Sequence, residues 1–126
     1  MMRGYLFACL SIIFAVLGQV ILKFGIDKSL NINNLKSINN LLDFFLVSSN
    51  PSVLLGLIFY GLSAFLWIVV LSELDLSIAY PILGLTYILV LLLSFFFLGE
   101  SLSILKVTGT LFVLFGVALI GFGSRT

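Results

Sequence analysis

Four stretches of the chain are almost free of charge, near residues 4–25, 53–72, 76–98 and 102–123. Each supplies about the 20 apolar residues with which a helix crosses the hydrocarbon core of a bilayer. The pattern predicts an all-α integral membrane protein, with four transmembrane helices in one domain spanning 1–126. The longest polar interval, 27–50, keeps a periodicity of its own. Leu35, Ile38, Leu41, Leu42, Phe45 and Leu46 recur at helical spacing, with Lys36, Asn39, Asn40 and Asp43 between them. That spacing predicts an amphipathic interfacial helix over about 34–47, between the first and second spans. Asn50 is placed to cap the second span, with Pro51 in its first turn. The links "SELDLS" and "LGESLS" are tight, so the second, third and fourth spans run antiparallel to their neighbours.

Within each span, small or hydroxyl-bearing residues form a stripe. Gly4, Ala8, Ser11, Ala15 and Gly18 step by four and three along the first, and Gly56, Tyr60, Ser63 and Trp67 along the second. The third carries Ser77, Tyr80, Gly84, Tyr87 and Ser94, and the fourth Gly109, Gly116 and Gly123. Lipid is as apolar as leucine, so small residues mark where helices approach one another closely. Packing is the first reading of the glycines and alanines, and Gly109, Gly116 and Gly123 are the candidates for helix packing or dimerisation. Tyr60, Trp67, Tyr80 and Tyr87 bring polar tips as well as bulk. They fit an interfacial aromatic belt, Tyr80 above all, or together with Gln19 the lining of a polar path to a substrate. Four helices alone leave no room for a hydrated passage. A lined route therefore calls for a second copy or a paralogous four-helix partner.

The sharpest anomaly is "GQVILKFG" at 18–25, which puts Gln19 and Lys23 four residues apart on one helix face. An ammonium at the centre of a bilayer costs about 3 kcal/mol on insertion scales. Lys23 lies about one turn from Asp27, so its stem can reach the headgroups. Alternatively it meets a lipid phosphate, for which a flexible point charge is suited. Gln19, one turn deeper, must bond to another helix, a water or a sugar hydroxyl, because a bare amide in hydrocarbon is costly.

Composition and charge narrow the chemistry. The chain is 62% hydrophobic and 9% charged, with a mean hydropathy of +1.34. A small soluble domain has no way to hide that much apolar surface. The net charge of +1 offers no field for nucleic acid. With no histidine and Cys9 as the one cysteine, there is no intrachain disulfide, no Cys/His metal site and no Ser-His or Cys-His nucleophile. No cofactor is implied. The carboxylates Asp27, Asp43, Glu73, Asp75 and Glu100 lie at or near helix ends. Glu73 and Asp75 point apart at i,i+2, so no enzyme is read here. Glu100, close to the start of the fourth span, is favoured there by unsatisfied N–H groups. Pro81 is tolerated in a first turn or kinks the third span. Arg3 before an apolar run resembles a signal peptide, but "GQVILK" continues the helix without a break. Arg3 and Arg125 fall on one side of the membrane, and Lys23, Lys28, Lys36 and Lys106 on the other. This balance favours termini outside but suits a chain that inserts both ways or is oriented by a partner.

"LKFG", "LSIAYPILGLTY" and "FFFLGESLSILKVTGTLFVLFGVALIG" resemble the four-helix members of the drug/metabolite transporter superfamily. In its small multidrug resistance branch, antiparallel proton-coupled dimers use a glutamate in the first helix and a tryptophan in the third. Those positions fall on Ala15 and Leu83 here. The EamA-like subunits that flip undecaprenyl-phosphate-linked sugars, notably aminoarabinose, are more similar. They share "GQ" at Gly18 and Gln19, a late tryptophan at Trp67, "IAYP" at 78–81, and a "GE" turn at Gly99 and Glu100.

The resemblance implies a transporter subunit of the bacterial inner membrane that moves a lipid-linked sugar or similar amphipathic phosphate-bearing substrate between leaflets. Gln19, Lys23, Tyr60, Trp67, Tyr80 and Tyr87 are its candidate substrate-binding residues, and the active unit would be a homodimer or a heterodimer with a paralogue. Two other readings stay open: export of small amphipathic compounds, and a scaffold subunit whose stripes only pack.

Overall fold

The apolar runs all form helix in the computed structural model, which describes residues 2–34 and 36–123 and has no strand among them. Leu35 of the amphipathic pattern and Arg125 of the charge count lie outside the described residues. The elements are α1 (Met2–Ile32), α2 (Leu41–Ser48), α3 (Pro51–Glu73), α4 (Leu76–Leu83), α5 (Leu85–Leu98) and α6 (Ile104–Gly123). Four spans result: α1, α3, the pair α4–α5 and α6.

Two boundaries differ from the sequence pattern. α1 runs beyond residue 25 to Ile32 because its polar end bonds along its own axis. Lys23 Nζ meets Asp27 Oδ1 at 3.0 Å, and Asn33 Nδ2 donates to the Ser29 carbonyl at 2.9 Å. Asn34 ends this segment at φ +53°, a left-handed turn that asparagine tolerates. The interfacial helix is shorter than the 34–47 pattern and starts at Leu41. Asp43 Oδ2 accepts the backbone N–H groups of Asn39 (3.2 Å) and Asn40 (3.3 Å), which fixes the start of α2 at the asparagine pair. α2 leaves Leu41, Leu42, Phe44, Phe45 and Leu46 exposed, a surface suited to the headgroup–acyl boundary.

The best-packed seam joins α1 to α3. All five stripe residues of α1, Gly4, Ala8, Ser11, Ala15 and Gly18, are buried, as are Gly56, Ser63 and Val70 of α3. Backbone meets backbone here: a Cβ on Gly25 would lie 2.8 Å from the Val53 nitrogen. Ser11 Oγ donates to the Ser63 carbonyl oxygen at 3.0 Å and lies 3.2 Å from Ser63 Oγ. Phe14 and Phe59 close the seam with ring centroids 5.5 Å apart. At one end Ala8, Val70, Leu74 and Ala79 form a small buried cluster that also holds the start of α4.

The third span is broken. Pro81 lacks an N–H for the helical ladder, and the turn after it tightens: the Gly84 N–H reaches both the Tyr80 and Pro81 carbonyls, and the Tyr87 N–H bonds only three residues back, to Gly84. Thr86 Oγ1 bonds the Leu83 carbonyl at the same point. The break lets α5 lie against α1 while α4 carries α6. Pro81 packs 3.1 Å from where a Cβ on Gly121 would sit, and Val117 would be 2.8 Å from one on Gly84. α6 buries no residue of its own.

Candidate functional site

Two of the cavities beside the helix break share Gln19 in their linings. The smaller, about 320 Å³, lies on the α1–α3 seam and includes Gln19, Tyr60, Trp67 and Thr86 in its lining, with the bonded pair Ser11 and Ser63 in its wall. The larger, about 650 Å³, is a groove between α5 and α6, capped by α4. Its lining runs from Tyr80 and Pro81 past Gln19, Thr86 and Tyr87 to Ser94 and Thr110, and ends at Glu100, Ser101 and Lys106. Gln19, Leu83 and Thr86 line both.

Helical spacing explains the meeting. Ser11, Ala15 and Gln19 lie four apart on α1, so the buried packing stripe leads into the amide one turn on. The break at Gly84 brings Leu83 and Thr86 to that level. Along α6, Lys106 to Ile120 spans about 21 Å of helix axis, most of an apolar core about 30 Å thick. The groove is therefore a transmembrane feature with its charges at one end only. Its side is open, because α6 meets α4 far more than α5.

Of the residues singled out in the sequence, Gln19, Tyr60 and Trp67 come together in the seam, and Gln19, Tyr80 and Tyr87 in the groove. Among the described residues none of these five side chains has a hydrogen-bond partner. An unbonded amide or phenol facing hydrocarbon is costly, so these cavities suit water or a polar ligand. Lys23 lines neither cavity. It is half exposed and held by Asp27. At Gly109, Gly116 and Gly123 an added Cβ would meet nothing within 4 Å among the described residues, and α6 turns Gly109 and Gly116 away from its own subunit's packing.

Thr86 and Thr110 had no signal in the sequence, where Ser94 stood only in the stripe of the third span and Lys106 only in the charge balance. Lys106 carried one signal, a charge just inside the fourth span, but only the antiparallel return of α6 brings it to the groove that Gln19 also lines. Among the described residues no group of three or more acids, cysteines or histidines stands where it could hold a metal ion.

No family model matches the chain, and no solved structure does either. Its curated relatives match along nearly the whole length. The probable 4-amino-4-deoxy-L-arabinose-phosphoundecaprenol flippase subunit ArnF of Photorhabdus laumondii is 33% identical over 130 residues, covering 94% of this chain and 97% of the relative. The chain belongs to the ArnF flippase subunit family. The ArnF proteins of Serratia proteamaculans and Yersinia enterocolitica are each 36% identical, over 123 and 121 residues, and are covered to 92% and 94% of their lengths. With four spans and this kinship, the chain is an integral inner-membrane protein. The name of the ArnF relatives also describes a subunit, which fits a chain whose α6 buries nothing within its own fold.

Proposed function

We propose that this chain is one subunit of a flippase that carries a sugar linked through phosphate to undecaprenol from one leaflet to the other, 4-amino-4-deoxy-L-arabinose being the sugar named for its ArnF relatives. The near full-length identity of 33–36% carries the reading. The groove supports it physically. A lipid-linked sugar needs a polar path for its headgroup and an open flank through which its tail stays in lipid. Gln19, Tyr80 and Tyr87 offer donors and acceptors, and the hydroxyl oxygens of Thr86, Ser94 and Thr110, whose protons go to carbonyls one turn back, add acceptors along most of the bilayer. The open side between α5 and α6 leaves the tail outside.

The active unit is a dimer with a paralogous four-helix subunit or a second copy, meeting across α6. A partner there covers Gly109 and Gly116 and closes the far wall of the groove. Movement is downhill or by exchange, since the deep parts of the spans carry no carboxylate to couple it to protons.

The test is transbilayer movement of a fluorescent polyprenyl-phosphate aminosugar in proteoliposomes holding the full chain with each four-helix paralogue in turn, and alone. Movement above that of protein-free liposomes is the expected result. Equality with them in every combination overturns the proposal.

A further inference from the structure

The charged end of the α5–α6 groove has a composition that the proposed cargo explains. Glu100 and Lys106 line the same cavity, yet the ion pair recorded among the described residues is Lys23–Asp27. Lys106 Nζ bends back over the turn to donate to the carbonyl oxygen of Ser101, the residue after Glu100, at 3.1 Å. One ammonium and one carboxylate thus stand over a single opening without neutralising each other. Two features hold them there. Gly99 adopts φ +66°, a left-handed cap that ends α5, and the Glu100 N–H bonds the Ser94 carbonyl at 3.2 Å. Ser103 Oγ accepts the Lys106 N–H at 3.2 Å and fixes the first turn of α6.

The geometry points to a two-point headgroup station at this mouth: Lys106 takes the phosphate of the lipid-linked sugar, and Glu100 takes a cationic amine on the sugar itself. This deepens the flippase reading and rests on it. A phosphate-linked aminosugar carries one negative and one positive group a sugar ring apart, and the mouth presents their complements. Lysine suits the phosphate because a flexible point charge follows a moving anion, and a carboxylate–ammonium pair is a charge-assisted hydrogen bond. The opposite end of the groove, at Tyr80, Pro81 and Ile120, has no charged lining residue. The station therefore serves one leaflet. Recognition of the amine resides in Glu100, whereas Lys106 is indifferent to the sugar.

The full chain with its partner subunit is reconstituted in liposomes, and half-saturating concentrations are measured for two polyprenyl-phosphate sugars that differ only in an amino or a hydroxyl group. In wild type the amino form is preferred. Glu100→Gln lowers that preference about twofold to fivefold, the range expected of a solvated ion pair, and Glu100→Asp restores part of it. Lys106→Gln weakens both lipids by a similar factor and keeps their ratio. A preference that survives Glu100→Gln, or one that Lys106→Gln erases, overturns the station while leaving transport in place. Wild-type liposomes that move neither lipid overturn the flippase reading itself. Both side chains are exposed, so the variants fold, and the yield of monodisperse protein in detergent checks this.

Discussion

Gly18 and Gly56 bring α1 and α3 together at backbone distance: a Cβ added to Gly56 would lie 2.9 Å from the Gly18 carbonyl oxygen and 2.7 Å from the Leu22 nitrogen. The opposing atoms are main chain and have no rotamer with which to yield. Gly56→Ala is therefore expected to destabilise the subunit by about 1–3 kcal/mol. Gly61, five residues on, faces open space, and Gly61→Ala is neutral or mildly stabilising. Equilibrium unfolding in mixed micelles compares the two. Equal effects would mean that the seam does not depend on this contact.

Gln19 is exposed within the isolated subunit and lines both cavities, so removing its amide leaves the packing intact. Gln19→Leu is expected to cut transbilayer movement about tenfold or more with little change in unfolding midpoint, as the loss of about 1.5 kcal/mol or more of polar contact to a moving headgroup implies. Gln19→Asn, which keeps an amide, retains intermediate activity.

Lys23 offers a contrast. Its half-exposed pair with Asp27 sits outside both cavities, and such pairs contribute about 0–1 kcal/mol. Lys23→Gln is expected to alter stability by no more than that and to leave transport within about twofold of wild type. A loss matching that of Gln19→Leu would show that the phosphate is met on α1 and not at the α5–α6 turn.

The outward glycines of α6 predict a separation of folding from assembly. Gly116→Leu has room within the subunit, so the variant folds with an unfolding midpoint near that of wild type. If a partner packs there, the leucine holds the backbones apart. Size-exclusion chromatography with multi-angle light scattering, corrected for detergent, is expected to show loss of the dimer.

The spans, the packing stripe of α1 and the nearness of Lys23 to the polar end at Asp27 were legible in the sequence because each is a local pattern. A bilayer demands continuous apolar length, close packing demands small residues every third or fourth position, and i,i+4 places opposite charges together. The break at Gly84 was only half legible. Pro81 signalled a disturbance, but its site depends on how α4 and α6 pack, with Val117 against Gly84 and Pro81 against Gly121. The start of α2 departs from the apolar spacing through Ile38 because Asp43 reaches back to cap at Asn39 and Asn40. Gln19, Tyr60 and Trp67 were visible as polar residues in apolar helices. The grouping of Thr86, Thr110, Glu100 and Lys106 was not, since they lie on two spans and a turn that meet only in three dimensions.

The central claim is that a polar headgroup travels in the groove between α5 and α6. Its most direct test is water access. In a Cys9→Ala background, single cysteines at Thr86 and Thr110 in the groove, and at the outward-facing Phe96 and Phe112, are labelled with a water-soluble maleimide in proteoliposomes. The groove cysteines are predicted to react faster, and to be protected by added polyprenyl-phosphate aminosugar. Labelling no faster than at Phe96 and Phe112, or labelling that ignores the lipid, would contradict the account.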